Sequence, residues 1–280
     1  LENSHNNNKS LSIRISTDGL SFCVFAPNEA QPYTYKEYDV KPVMSMAANL
    51  KEALTNDPIF RDNYQRVNVL ISTPQFTTLP AEGFNKDKAE AVFRFVQPNV
   101  GHCHVSYNIL RHAQAVVLFG IDKDIRQLIL DDFPRARFYA SPATLIEFFA
   151  EKSLGGQGKH IFVYLHEGKL MQQLGQQRQE MVVYAFDQGQ FLFVNSYDVR
   201  STNDCAFYLL NVWKTLHFDQ LDDALSIVDD AQASIPLANQ LQDYIKDIRL
   251  IDRENDFQQK LSSTQLLLPY DLQTLLVCGI

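Results

Sequence analysis

The sequence predicts an α/β protein of two similar lobes, each a mixed sheet with helices on its faces. One reason is length: 280 residues exceed the usual size of a single domain, about 100–150 residues. A second is the order of signals. Each half opens on antiparallel strand patterns and continues with helices and strands in alternation, as a helix-covered mixed sheet requires. The third is the glycine-rich segment Leu154-Gly155-Gly156-Gln157-Gly158 near the midpoint, which reads as a flexible boundary. It separates a first lobe over 11–154 from a second over 159–280, and the polar, asparagine-rich residues 1–10 read as a disordered leader.

The first lobe opens with a hairpin. Leu11, Ile13 and Ile15 alternate with Ser12, Arg14 and Ser16, and Asp18-Gly19 turns the chain into Leu20, Phe22 and Val24. A third strand is predicted around Tyr33 to Val40, then a helix after Pro42 in which Met46, Leu50, Ala53 and Leu54 share one face. The short β-branched run Val67 to Ile71 reads as a buried strand ended by Thr73-Pro74. A helix near Lys86 to Val96 follows, with strands near His104 to Ile109 and Ala115 to Phe119. The next helix, Asp122 to Phe133, is capped by Asp122, whose carboxylate accepts from free amides of the first turn. Pro134 stops it, a strand at Arg137 to Ala140 follows, and Ser141-Pro142 starts another helix.

The second lobe begins with the apolar strand Ile161 to Leu165. A hairpin pairs Met181 to Phe186 with Phe191 to Val194 across Asp187-Gln188-Gly189. Ser201 opens a helix with Asp204 three residues on, a capping-box spacing, and Ala206, Leu209, Leu210, Trp213 and Leu216 form its apolar face. A strand at Leu225 to Val228, a helix from Leu237 to Ile245, a strand near Ile248 to Ile251 and a helix near Asp271 to Val277 complete the lobe.

Composition narrows the function. The 45% hydrophobic and 11% aromatic content suffices for packed cores. A net charge of −8 opposes the broad basic surface that phosphate backbones require, so nucleic acid is not the expected partner. Cys23, Cys103, Cys205 and Cys278 are far apart and form no CxxC pair, which fits thiols in a reducing, cytoplasmic compartment. No signal-peptide pattern opens the chain, and no apolar run reaches the roughly 20 residues of a membrane span.

The hairpin from Ser12 to Phe25, with Ser16-Thr17-Asp18-Gly19-Leu20 at its turn, looks like the first phosphate loop of the actin-like ATPase, or ribonuclease H-like, superfamily. Over residues 11 to 278 the chain resembles an uncharacterised bacterial family of actin-like fold with no assigned activity. The similarity is clearest at Phe191-Leu192-Phe193-Val194-Asn195-Ser196-Tyr197 and at the helix beginning Thr202-Asn203-Asp204. The resemblance implies two actin-like lobes, and it makes Asp18 and Gly19 the candidate cofactor-binding residues, with ATP and Mg²⁺ as the possible ligands. It also exposes departures. An acid and a glycine-rich turn should follow the first strand of the second lobe, where the sequence reads Leu165-His166-Glu167-Gly168. The adenosine contact should be glycine-rich, where it reads Ile227-Val228-Asp229-Asp230-Ala231.

Other chemical candidates fare worse. Gly155-Gly156-Gln157-Gly158-Lys159 lacks the Walker spacing and its Ser or Thr, since position 160 is His. His102 and His104 project to one face of a strand and Cys103 to the other, too few ligands for a metal site, so no metal site is predicted. The doublets Asp131-Asp132, Asp222-Asp223 and Asp229-Asp230 sit near element ends, where carboxylates cap. Tyr33, Tyr35 and Tyr38 form a row suited to core packing or, at a sheet edge, to a partner. The expected function is non-catalytic: a binding or scaffolding protein of actin-like fold with a degenerate nucleotide site and a protein partner. The alternative is an ATP-binding switch using the interlobe cleft.

Overall fold

A computed structural model of the chain describes residues 9–17, 19–29, 32–156, 158–167, 179–229, 234–251, 257 and 268–278. In chain order the elements begin with strands β1 (Ser10–Ile15), β2 (Leu20–Phe25) and β3 (Tyr33–Tyr38), helix α1 (Met46–Asn56), and strands β4 (Arg66–Ile71) and β5 (Phe76–Pro80). Helix α2 (Ala89–Val96), strands β6 (Cys103–Leu110) and β7 (Ala115–Asp122), helix α3 (Lys123–Asp132), strand β8 (Arg137–Ala140) and helix α4 (Ser141–Ser153) follow. The rest are β9 (Lys159–Glu167), β10 (Gln179–Asp187), β11 (Gln190–Val199), helix α5 (Thr202–Thr215), β12 (Ala224–Asp229), helix α6 (Ser234–Leu241), β13 (Asp247–Leu250) and helix α7 (Tyr270–Cys278). The predicted elements are all present. Strand β5 is an addition to them, because a five-residue run between Pro74 and Pro80 carries more turn signal than alternation. The predicted leader lies outside the described residues up to residue 8, and Ser10 already belongs to β1.

Both halves follow one plan. In the first, β1–β2 and β2–β3 pair antiparallel while β1–β4 and β4–β8 pair parallel, giving the order β3-β2-β1-β4-β8. In the second, β9–β10 and β10–β11 are antiparallel and β9–β12 and β12–β13 parallel, giving β11-β10-β9-β12-β13. Strands β5, β7 and β6 form a third sheet, inserted between β4 and β8 of the first half.

The chain divides into two compact units, Leu1–Leu79 with Phe84–Asn108 and Val117–Pro142, and Pro80–Gly83 with Ile109–Val116 and Ala143–Ile280. The chain crosses between the units several times, the last time at 142/143. From Ala143 onward α4 belongs to the second unit, where Phe149 stacks on Phe162 with centroids 4.4 Å apart. Gly158, which the sequence places in a linker, is fixed in place: its φ is +89°, and the next amide, Lys159 N–H, donates to Asp223 at 2.7 Å.

In the first unit the apolar residues of β1 align with those of β4, Ile13 beside Val69 and Ile15 beside Ile71. Helices α1 and α3 pack on each other and bury Leu50, Ala53, Ile125 and Ile129, and Phe22 meets Phe60 edge-on at 4.6 Å. Each fully buried aliphatic or aromatic chain contributes about 1.5–3 kcal/mol. The helices start where short acceptors allow it: Ser45 caps α1 at Ala48 N, and Asp122 caps α3 at Asp124 N and Ile125 N. In the second unit Ile161, Val163 and Leu165 of β9 face a core closed by α5 and α6 through Leu209, Trp213, Leu237 and Leu241. Ser201 caps α5 at Asp204 N, and the Asp204 carboxylate returns to the amide of Arg200, one residue earlier than a capping box would.

Candidate functional site

The first unit's candidate loop is the turn between β1 and β2. Register pairs Ile15 with Leu20, so the connection is Ser16 to Gly19. The Ser16 amide donates to the Gly19 carbonyl at 3.0 Å and its Oγ donates to the same oxygen at 3.2 Å. That amide is turned into the hairpin, whereas a phosphate cradle needs amides turned outward. Gly19 is not in the left-handed region, and an added Cβ would lie 3.1 Å from Ser16 Oγ. Asp18 lies outside the described residues.

Beside this turn lies a feature that the sequence pattern does not single out. The polar residues that alternate along β1 and just past its end are not solvent-facing: Ser12 and Arg14 of β1, Ser16 after it and Ser21 of β2 are all buried. Register sets Arg14 beside Ser21 on one side and Leu70 on the other, and sets Ser12 beside Cys23 and Asn68. The Tyr35 hydroxyl, hydrogen-bonded to Glu37 at 3.0 Å, is pushed well above its ordinary pKa, by burial first. Tyr33 and Tyr35 do lie on an edge strand, since β3 ends the sheet order, and both are half-buried. Nothing in a period-2 pattern distinguishes a solvated polar face from a buried one.

In the second unit the β9–β10 connection, residues 168–178, lies outside the described residues, and the residues just before it form regular ladder. Strand β9 runs through Leu165 to Glu167, with His166 opposite Glu180 and Glu167 opposite Gln179. The backbone therefore does not turn after Leu165, and a histidine stands where the acid is expected. Gly168 lies outside the described residues. Val228 and Asp229 continue β12 beside β9, and Asp230 and Ala231 lie outside the described residues.

The remaining candidates resolve into structural roles. Of the acidic doublets, Asp223 is buried and accepts from Lys159 N at 2.7 Å and Asp219 N at 2.6 Å. Cys103 is buried and His104 exposed on β6, and no group of three or more metal-ligating side chains occurs among the described residues. Cys23, Cys103 and Cys205 are unpaired and buried, and burial pushes the Cys23 thiol up to about 12 and Cys205 up to about 11. Cys23 and Cys205 are therefore not nucleophiles at neutral pH. Glu147 of α4, absent from the sequence candidates, accepts from the amides of Arg111, His112 and Ala113 at 3.0–3.3 Å. It fixes the β6–β7 turn rather than serving chemistry.

With this geometry in view, comparison places the chain. The family described as a protein of unknown function, DUF3822, matches residues 1–248. The chain belongs to that family. A Bacteroides thetaiotaomicron protein with actin-like ATPase fold and unknown function is 31% identical, with 99% of each chain covered and a TM-score of 0.81. PilM, solved in the PilM–PilN type IV pilus biogenesis complex, shares the fold at 10% identity, with a TM-score of 0.55 over 96% of this chain and 98% of that chain. No curated protein matches the sequence at a significant level. The two lobes expected from sequence are thus of the actin-like ATPase fold.

Proposed function

We propose that this DUF3822 protein is a non-catalytic binding or scaffolding module of actin-like fold, acting on a protein partner in the cytoplasm. The observation that carries the reading is the unbroken ladder of β9 through His166 and Glu167. Phosphoryl transfer is mainly positioning by backbone amides and a metal-holding carboxylate, and a strand offers its amides to its neighbour. The inward Ser16 amide supports the same reading in the first unit. PilM, a chain of this fold, occurs in a complex with PilN, which makes partner binding a reasonable use of the architecture. Buried, unpaired thiols at Cys23, Cys103 and Cys205 favour a reducing compartment. No helix among the described residues is long and apolar enough to cross a membrane.

The test is calorimetry with ATP and Mg²⁺ together with a turnover assay on the full chain. Neither binding at millimolar nucleotide nor hydrolysis is expected. Hydrolysis removed by Asp18→Ala overturns the proposal. Saturable binding without turnover, removed by the same substitution, favours a nucleotide-binding switch instead.

A further inference from the structure

The edges of the three sheets are not alike. An edge strand offers a row of unpaired amides and carbonyls to another chain, and proteins blunt it with brevity, charge, proline or a covering side chain. Strands β8 and β13 are four residues long; the Asn108 side chain occupies backbone groups of Phe138 and Ala140 on β8, and β13 carries the charges of Asp247 and Arg249. Strand β3 holds Lys36 and Glu37, and β5 ends in Pro80 while the Gln97 side chain donates to its Phe76 carbonyl at 3.2 Å. On β6, Arg94 donates to the Cys103 carbonyl at 3.4 Å and Asn108 is bonded to β8. Strand β11 has none of these devices. It runs ten residues, contains no lysine, arginine or proline, and carries Asp198 as its one charge. It ends the order β11-β10-β9-β12-β13, with no strand beyond it among the described residues.

The residue order of β11 says what fits this edge. A bulge opposite Ala185 and Phe186 confines the irregularity to Leu192, and from Phe193 to Val199 the register on β10 is unbroken. Antiparallel pairing of that stretch with its own copy about Ser196 sets Ser196 beside Ser196, Asn195 beside Tyr197, Val194 beside Asp198 and Phe193 beside Val199. Hydroxyl then meets hydroxyl and amide meets phenol, pairs that support a ladder. The two Asp198 carboxylates stand four residues apart along the strands, about 13 Å, beyond the screening length of about 8 Å in physiological salt. A strand that meets its copy with no like charges opposed is self-complementary, as a two-fold interface requires. Helix α5 adds to the contact. It packs on β11 with Tyr208 stacked on Tyr197 at 4.7 Å, both partly exposed, and Phe207, 68% exposed, stands edge-on to Tyr208 at 5.4 Å. A two-fold axis through the sheet brings the α5 helices of both copies onto one face, and their rings add to the strand contact toward the roughly 1,000 Å² of a specific interface.

We propose that the protein forms a two-fold dimer in which β11 of one copy pairs antiparallel with β11 of the other about Ser196, joining two five-stranded sheets into one. The interface is independent of the nucleotide question, because it lies within the second unit and shares no residue with the phosphate-loop positions. Light scattering and sedimentation of the full chain from about 1 to 100 µM give a dimer whose fraction rises with concentration. Val194→Asp opposes the partner's Asp198 and weakens the dimer at least about tenfold. Val194→Lys loses the same apolar side chain but meets that carboxylate, and it dimerises at least about fivefold more tightly than Val194→Asp. Ser196→Cys, on the axis, gives a disulfide-linked dimer under mild oxidation, whereas the wild type and Leu192→Cys, exposed on the same strand but off the axis, do not. Crosslinking at 196 keeps the test decisive if a Val194 variant unfolds. A monomer throughout that concentration range, equal dimer affinity of the two Val194 variants, or crosslinking at 192 that matches 196 overturns the proposal.

Discussion

The two halves of this chain share a strand order and fill it differently. In the second, the central strand β9 is buried on both faces by apolar or aromatic side chains. Ile161, Val163 and Leu165 face one core, and Phe162 and Tyr164 face the other. On that second face His160, Phe162 and Phe149 form a ladder of rings with centroids 4.0 and 4.4 Å apart. In the first half the equivalent strand β1 buries Leu11, Ile13 and Ile15 on one face but Ser12 and Arg14 on the other. One plan therefore tolerates either an aromatic or a polar second layer, because strand order is fixed by backbone pairing and the layer by side chains alone.

The contrast extends to how the halves secure their ends. The second half relies on glycines forced by close approach. Gly158 and Gly189 both have φ +89°, and an added Cβ would meet Asp223 Oδ1 at 2.7 Å or Leu154 Cδ2 at 2.4 Å. The first half protects an edge with a side chain. Asn108 donates to the Phe138 carbonyl at 3.0 Å and accepts from the Ala140 amide at 2.8 Å, a peptide-like pairing on edge strand β8. The two turns singled out by their glycines thus differ in kind: Gly19 is permitted, Gly158 is required.

The sharpest break of this comparison is Gly158→Ala, which is expected to cost about 4 kcal/mol from left-handed strain and steric overlap together, read by urea unfolding. A loss below about 1 kcal/mol would make the two glycines equivalent after all.

The ring ladder predicts a pH dependence of the second half. Burial, and then the Arg249 charge, lower the His160 pKa from 6.5 to about 4, and its Nε2 sits 2.8 Å from Ser226 Oγ. Below pH 6.5 the unfolded chain takes up a proton that the folded chain refuses. The stabilisation is complete above that value and is lost as pH falls toward 4, to about 3 kcal/mol. Unfolding at pH 7 and pH 4.5 measures it, and His160→Leu reduces the difference by most of that amount.

Asn108→Ala probes the first half's edge clamp and is expected to cost about 2 kcal/mol for two lost hydrogen bonds. Faster hydrogen exchange at the Ala140 amide would locate the loss on β8. Tyr184→Phe tests the apolar character of the second half's ring layer. Its hydroxyl is fully buried without a hydrogen-bond partner among the described residues, and burial raises its pKa well above the ordinary value. Removing it is expected to stabilise by about 1 kcal/mol, seen as a higher melting temperature. Gly19→Ala completes the contrast with Gly158: a change within about 0.5 kcal/mol is expected, because the Ser16 side chain can yield.

Much of the fold is legible in local pattern. The period-2 run of β1, the Asp122 and Ser201 caps and the prolines that end or start helices are local signals, and local geometry obeys them. Strand β5 is hidden because its pairing partner is distant in sequence while its flanking prolines argue for turn. The candidate site is legible only as a set of departures, His166 for an acid and Asp229 for a glycine. That β9 continues as ladder through His166 is a consequence of pairing with β10, which no spacing reveals. The open edge of β11 is less legible still, since a strand pattern does not say which strand ends a sheet.

By itself the sequence determined the order and type of nearly every element and the absence of a complete phosphate-binding motif, because periodicity, caps and turn residues act over a few positions. Only the tertiary structure decided the interleaving of the two units, the burial of Arg14, the clamp at Asn108 and the left-handed backbone of His217 after α5. Each of these depends on groups brought together from distant parts of the chain or on a backbone angle, and neither is written in local pattern.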